Sequence, residues 1–251
     1  MDQHDIEAAV RLLAAAHSDG TLLDALPAHA RPSTFAEAAA IQQALLLHLG
    51  ETAAGYKIAG TTPETVMWGA IVRSRMKASP AVFPATLVPM LGVEPEVAFR
   101  LRRDVSAADR GILLDEFDAL VDIVPAIEIV DSRFTSYEAT PLLHRAADFM
   151  SNGGLVHGEP WMEVSTADLI ALRVEVRSGD ARIAETKGAH PAGDPRLPAL
   201  AFLQAPGRPD LLPRGTIITT GSYAGLLRSR PGETVTAQFD GYGSLTVSFE
   251  T

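Results

Sequence analysis

Cysteine is absent from this 251-residue chain. With it go disulfides, thiolate metal ligands and cysteine nucleophiles. Missing too is any run of about 18 apolar residues, the length a membrane-spanning helix needs. Basic residues are outnumbered, 21 Lys and Arg against 31 Asp and Glu, leaving a net charge of −10. They form no cluster, so neither nucleic acid nor an anionic membrane surface is an expected partner. There is no Walker A loop, no G-x-G-x-x-G and no H-E-x-x-H. Gly221-Ser-Tyr-Ala-Gly225 carries its Ser one place too early for a nucleophile elbow. The seven histidines show no ligand spacing, and lone ones such as His144 and His157 read as hydrogen-bonded structural residues. The opening Met-Asp-Gln-His-Asp-Ile-Glu is acidic and lacks the apolar core of a secretory leader. A cysteine-free acidic chain of this kind is expected in the cytoplasm.

What is present is ordinary globular composition, 47% apolar and 21% charged, in a chain long enough for one large core. Residues 3–17 read as a helix with Ile6, Val10, Leu13 and His17 at helical spacing. Thr34-Phe-Ala-Glu37 has the form of a capping box opening a second helix that runs to about His48. Residues 1–54 are therefore expected to form a helical segment packed on a main unit, 55–251. From Gly55 the pattern becomes strands and turns. Residues 61–92, with four prolines, read as mostly irregular, and so do 131–160. Between them lie a strand from Gly92 to about Arg102, a short helix from Leu113 to Val121 and a β-branched strand, Ile123–Val130. Ser178-Gly-Asp reads as a hairpin turn, and Asp194-Pro195 as the cap of a helix over Arg196–Gln204. Strands follow over 215–222, 234–239 and 244–249.

Three acids stand out. Glu94 and Glu96 sit two apart in a strand-like run, so both point to one face, about 6.5–7 Å apart along the chain. Val93, Pro95, Val97 and Phe99 make the apolar opposite face. Paired carboxylates repel unless a cation or proton lies between them, although an isolated Glu-x-Glu is more often a solvated strand face. Glu128 is the one charge inside Ile123–Val130, where a buried carboxylate must be ion-paired, protonated or bound to metal. Three carboxylates in strands are the donors that hard cations prefer. Lys57, in a short apolar run between glycines, is either a snorkelling edge residue or a buried cation aimed at an anion. Thr219-Thr-Gly-Ser222 has hydroxyls and backbone N–H groups suited to a carboxylate, or is simply a turn.

Taken together, Gly55-Tyr-Lys-Ile, Val93-Glu-Pro-Glu-Val-Ala-Phe, Pro125-Ala-Ile-Glu-Ile-Val-Asp-Ser-Arg133 and Thr220-Gly-Ser222 resemble, in order and spacing, the 2-keto-4-pentenoate hydratases. These belong with the 4-oxalocrotonate decarboxylases in the fumarylacetoacetate hydrolase superfamily. The stretch Phe35-Ala-Glu-Ala-Ala-Ala-Ile-Gln-Gln and the segments from Arg214 and Pro231 extend the resemblance over nearly the whole chain. It implies an α+β fold, an N-terminal helical segment followed by a mixed β-sheet roll.

The resemblance also implies roles. Glu94, Glu96 and Glu128 match the ligands of Mg²⁺ or Mn²⁺, which chelates the carboxylate and C2 oxygen of a 2-oxo acid. Lys57 matches a catalytic lysine near the substrate. Asp148 matches a catalytic residue and Ser151 a substrate contact, within Ala147-Asp-Phe-Met-Ser151; Thr220, Gly221 and Ser222 match a substrate-contacting turn. The implied activity is a lyase that hydrates a short 2-hydroxy-2,4-dienoate to a 4-hydroxy-2-oxo acid, as in meta-cleavage catabolism of aromatic compounds. Decarboxylation or C–C hydrolysis of a related 2-oxo acid is the alternative, and a non-catalytic binding protein on the same fold a third. A homo-oligomer is also implied. The sequence departs from the hydratases at Phe149, where Asn is usual, after Lys57, and over 61–92, places where substrate identity is expected to be set.

Overall fold

The first helix obeys the apolar spacing that predicts it. In the computed structural model, which describes residues 1–251, α1 runs Gln3–Asp19, capped by Asp2, whose side chain accepts the Asp5 N–H. Gly20, at φ +76°, ends it. Helix α2 spans Phe35–His48, and Thr34 accepts the Glu37 N–H. Glu37 itself turns to the Ser33 N–H at 2.7 Å, so only half of the expected capping box forms. Four shorter helices follow: α3 Leu114–Leu120, α4 Leu142–Ala147, α5 Thr166–Ala171 and α6 Arg196–Gln204. Asp194 accepts the Arg196 N–H and so caps α6. No helix is long and apolar enough to cross a membrane.

Twelve strands of three or more residues alternate with these helices. They are β1 Ala53–Ala59, β2 Met67–Val72, β3 Met76–Ala78, β4 Ala81–Pro84, β5 Gly92–Leu101 and β6 Val121–Val130. After them come β7 Asn152–His157, β8 Arg173–Ser178, β9 Ala181–Lys187, β10 Ile217–Ser222, β11 Thr234–Phe239 and β12 Gly243–Glu250. Two expectations are corrected here. Residues 61–92 are not mostly irregular, since β2, β3 and β4 lie within them. The prolines sit at or beyond the strand ends, and the run Met67-Trp-Gly-Ala-Ile-Val72 is uninterrupted. Residues 131–160 are likewise not loop, because α4 and β7 lie there. Asn152-Gly-Gly-Leu-Val-His157 has the glycines of a loop, but its close approach to β6 requires them: a Cβ on Gly153 would stand 2.8 Å from that of Asp131.

The main sheet runs β2-β1-β10-β5-β6-β7-β3, with Leu227–Arg228 added beside β5. Its terminal strands, β2 and β3, are joined by only the turn Arg73–Arg75. A sheet whose two edges are three residues apart in the chain must roll up. Inside the roll, small and aliphatic side chains (Ile71, Ala98, Val124, Ala126, Leu155, Ile217) form a floor. Outside it, Val93, Val97, Phe99, Ile127 and Ile129 pack on the second sheet, β9-β8-β11-β12-β4, in the largest core. That sheet contributes Val174, Val235, Phe239, Val247 and Phe249. Helices α1, α2 and α4 cover β2 through Leu13, Ile41, Leu45, Ala70, Val72 and Phe149. Gln42 of α2 acts as a substitute strand there. Its amide donates to the Trp68 carbonyl at 2.8 Å and accepts the Ala70 N–H at 2.9 Å, satisfying the open edge of β2.

Candidate metal centre

Register brings the three acids together. Glu94 of β5 pairs directly with Glu128 of β6, and Glu96 pairs with Ala126, so all three carboxylates project from the inner face of the roll. One oxygen from each lies within 4.8 Å of the others. Glu96 and Glu128 are 2% and 0% exposed, which excludes the solvated strand face for two of the three. The same register carries Lys57 in. It pairs with Thr219 of β10, Thr219 pairs with Ala98 of β5, and all of these share that inner face. Lys57 Nζ reaches Glu128 Oε1 at 2.7 Å. With its side chain 14% exposed, it is a largely buried cation aimed at an anion and not a snorkelling edge residue.

The electrostatics are those of a site with too many carboxylates. Burial pushes Glu96 well above the usual carboxylate range, and Glu128 and Glu94 push it the same way. Burial also raises Glu128, against the pull of Lys57. For Lys57 burial alone would lower the pKa, yet Glu128, Glu94 and Glu96 outweigh it and hold the ammonium protonated. One buried oxygen, Glu128 Oε2, has no partner. An orphaned carboxylate oxygen inside an all-oxygen set of three donors fits a hard divalent cation such as Mg²⁺ or Mn²⁺.

The remaining site residues divide. Gly221 lies at a bulge, because β10 runs three residues from Thr219 to Ser222 while β5 runs two from Ala98 to Glu96. At φ +121° it turns its N–H onto Glu96 Oε2 at 3.0 Å, fixing that carboxylate. Thr220 and Ser222 bond to the carbonyls of Val97 and Pro95, so their hydroxyls hold the turn. Ser151 is fully buried and its hydroxyl has no partner. Asp148 is placed apart from the triad: both its oxygens receive Arg133 Nε, at 2.8 and 2.9 Å, and His17 bonds to it at 3.0 Å.

Three contributors escaped the reading of the sequence. Asn152 Nδ2 donates to Glu128 Oε1 at 2.9 Å. The Thr219 hydroxyl, also buried and unpartnered, stands beside Lys57 in the register, whereas the sequence marks Thr219 only as part of the Thr219–Ser222 tetrapeptide. His190 is buried behind the Gly221 turn. Its Nδ1 accepts the Ala192 N–H at 3.2 Å, leaving Nε2 to donate to Thr220 Oγ1 at 3.4 Å. Burial lowers His190 to about 4, in keeping with this neutral tautomer. The signal in the sequence was its setting, Gly188-Ala-His-Pro191, a restricted loop just before a capped helix.

No family model matches the chain. It is 31% identical over 160 residues to 2-keto-4-pentenoate hydratase 1 of Dechloromonas aromatica (strain RCB), a match covering 62% of this chain and 59% of the hydratase. It is 28% identical over 142 residues to the 4-oxalocrotonate decarboxylase of Pseudomonas putida, covering 55% of this chain and 53% of that one. These matches therefore span less than two thirds of the relatives' own length. Over its whole length the chain resembles the solved 4-oxalocrotonate decarboxylase from Pseudomonas putida G7, complexed with magnesium and adipate. The TM-score is 0.84 at 21% identity, with 99% of this chain and 98% of that one covered. The chain is thus similar in sequence to 2-keto-4-pentenoate hydratases and 4-oxalocrotonate decarboxylases, and its α+β roll has the fold of the solved 4-oxalocrotonate decarboxylase.

Proposed function

We propose that the protein is a lyase, a hydratase dependent on Mg²⁺ or Mn²⁺, that converts a short 2-hydroxy-2,4-dienoate into a 4-hydroxy-2-oxo acid. The observation that carries this is the convergence of Glu94, Glu96, Glu128 and Lys57 on one concave face. The three carboxylates would hold the cation. When bound, it would supply Lewis-acid polarisation and a template for the carboxylate and C2 oxygen of the substrate. The chain's own residues do the rest. Lys57, kept protonated, donates to the C2 oxygen as negative charge develops there. The free hydroxyl of Thr219 offers a second polar contact beside it. The Gly221 N–H keeps the Glu96 carboxylate from rotating.

The overall change moves two protons and one water. The enol proton leaves the C2 oxygen while C5 gains a proton, giving the 2-oxo-3-enoate. Water then adds its hydroxyl at C4 and a proton at C3, leaving the C2 ketone. Decarboxylation is the second reading, favoured by the likeness over the whole chain to a decarboxylase; there the same electron sink at C2 would receive the pair from a departing carboxylate.

The deciding assay incubates enzyme and Mg²⁺ separately with 2-hydroxypenta-2,4-dienoate and with 2-oxohex-3-enedioate. Loss of the dienoate absorbance without gas is the expected result. Release of CO₂ from the diacid alone would transfer the assignment to decarboxylation. A Glu96→Gln enzyme at full activity would remove the metal assignment under either reading.

A further inference from the structure

Asp148 belongs to a buried chain of hydrogen bonds that starts at Glu128 and ends on the first helix. Asn152 donates its amide to Glu128 Oε1 at 2.9 Å, while its backbone carbonyl accepts from Arg133 Nη2 at 3.0 Å. The same Nη2 also reaches the Asp148 carbonyl at 3.4 Å. Arg133 thus ties both ends of the turn that delivers Asn152 to β7. That turn needs tying. Phe149, Met150 and Ser151 have φ of +50°, +53° and +59°, three successive residues in the left-handed region without a glycine. Such a conformation costs about 1–2 kcal/mol per residue unless its surroundings impose it. The Asp148 carboxylate then fixes Arg133 through Nε and through the Arg133 backbone N–H, at 3.2 Å. His17 closes the sequence. Asp148 is ionised and only accepts, so His17 Nε2 carries the proton and donates at 3.0 Å, from a ring 4% exposed and set against Phe149.

We infer that His17, Asp148, Arg133 and Asn152 are positioning residues that hold the Glu128 carboxylate in place for its cation, so that helix α1 is a working part of the metal centre. This rests on the reading of Glu128 as a metal ligand. None of the four needs to touch substrate. Asp148, implied by the family resemblance to be catalytic, acts here through Arg133 and Asn152. His17, which sits at a position of the apolar helical stripe, is the polar anchor of that stripe.

The test titrates Mn²⁺ alone into the full-length protein, with Glu128→Gln as the reference for loss of the centre. His17→Leu is expected to weaken Mn²⁺ about tenfold, the usual effect of removing support behind a ligand. His17→Gln keeps a donor and is expected to restore affinity to within about threefold. A merely structural role would not produce that rescue. Asn152→Ala, which leaves α1 untouched, is also expected to weaken Mn²⁺ about tenfold and keeps the test open should His17→Leu fail to fold. A folded His17→Leu or Asn152→Ala protein with unchanged affinity overturns the relay while leaving the metal centre standing. So does a His17→Gln protein as weak as His17→Leu. Failure of the wild-type protein to bind Mn²⁺ removes the metal centre and the relay together.

Discussion

At the scale of single residues, the inner face separates the groups proposed to hold a cation from those proposed to act on a substrate. Lys57 is bound to Glu128 but is not a ligand, so Lys57→Met is expected to keep Mn²⁺ affinity within a few-fold while kcat falls about a hundredfold or more. Steady-state kinetics beside a metal titration checks this, and an unchanged kcat would remove Lys57 from the chemistry. Thr219 gives a sharper test. Its buried hydroxyl has no partner, so Thr219→Val should leave stability unchanged or slightly raised. If the hydroxyl meets substrate, KM should rise by about tenfold, the worth of one hydrogen bond of about 1.4 kcal/mol. Thermal melts and KM measured on the same preparation decide it. Glu94, Glu96 and Glu128 were legible as unusual acids because each interrupts an apolar strand. Asn152 was not, since nothing local distinguishes its amide from that of any loop asparagine.

Elements place these groups through two tight approaches. A Cβ on Gly69 of β2 would stand 2.2 Å from the Phe149 carbonyl oxygen and 2.8 Å from the Met150 Cβ. The left-handed turn before β7 therefore lies directly against β2. Gly69→Ala should cost about 3 kcal/mol or more, lowering the melting temperature by about 10 °C. Gly111→Ala, which faces open space, should change it little. Equal melts for the two would mean that the turn moves aside freely. At the β10 bulge, Gly221 combines φ +121° with a Cβ position 3.0 Å from Pro191 Cγ. Strand and helix boundaries were legible wherever periodicity was long, as in α1, α2, β5 and β6. They were lost in β2 and β7, where Gly69, Gly153 and Gly154 imitate loop composition. Those glycines are there because neighbouring atoms come too close for a Cβ: the Phe149 backbone at Gly69, the Asp131 side chain at Gly153, and the Phe83 ring with the Arg75 carbonyl at Gly154.

At the scale of the whole molecule, α1 and the roll are coupled through His17, and that coupling depends on pH. Burial depresses His17 to about 4, with Arg133 adding to the effect and Asp148 opposing it. Between about 6.5 and about 4 the unfolded chain takes up a proton that the folded chain refuses. The stability is therefore complete above about 6.5 and drains as pH falls toward 4. At pH 5 the loss should be about 2 kcal/mol. Denaturant unfolding at pH 7.5 and 5, in wild type and in His17→Gln, isolates it as a difference in slope, and parallel slopes would refute it. Divalent metal should act globally as well. Mn²⁺ at about a hundred times its Kd should add about 2.7 kcal/mol to folding stability in the wild type and nothing in Glu128→Gln.

The sequence by itself determined the strand faces, because alternation is a local property. It placed Glu94 and Glu96 on one face and Val93, Val97 and Phe99 on the other, and it marked Glu128 and Lys57 as charges in apolar runs. Tertiary structure alone decided that Glu94 pairs with Glu128, that Lys57 crosses β10 to reach them, and that Arg133 and His17 stand behind Asn152. Those contacts join residues far apart in the chain. Their distances are set by sheet order and register, which a residue's neighbours in sequence do not encode.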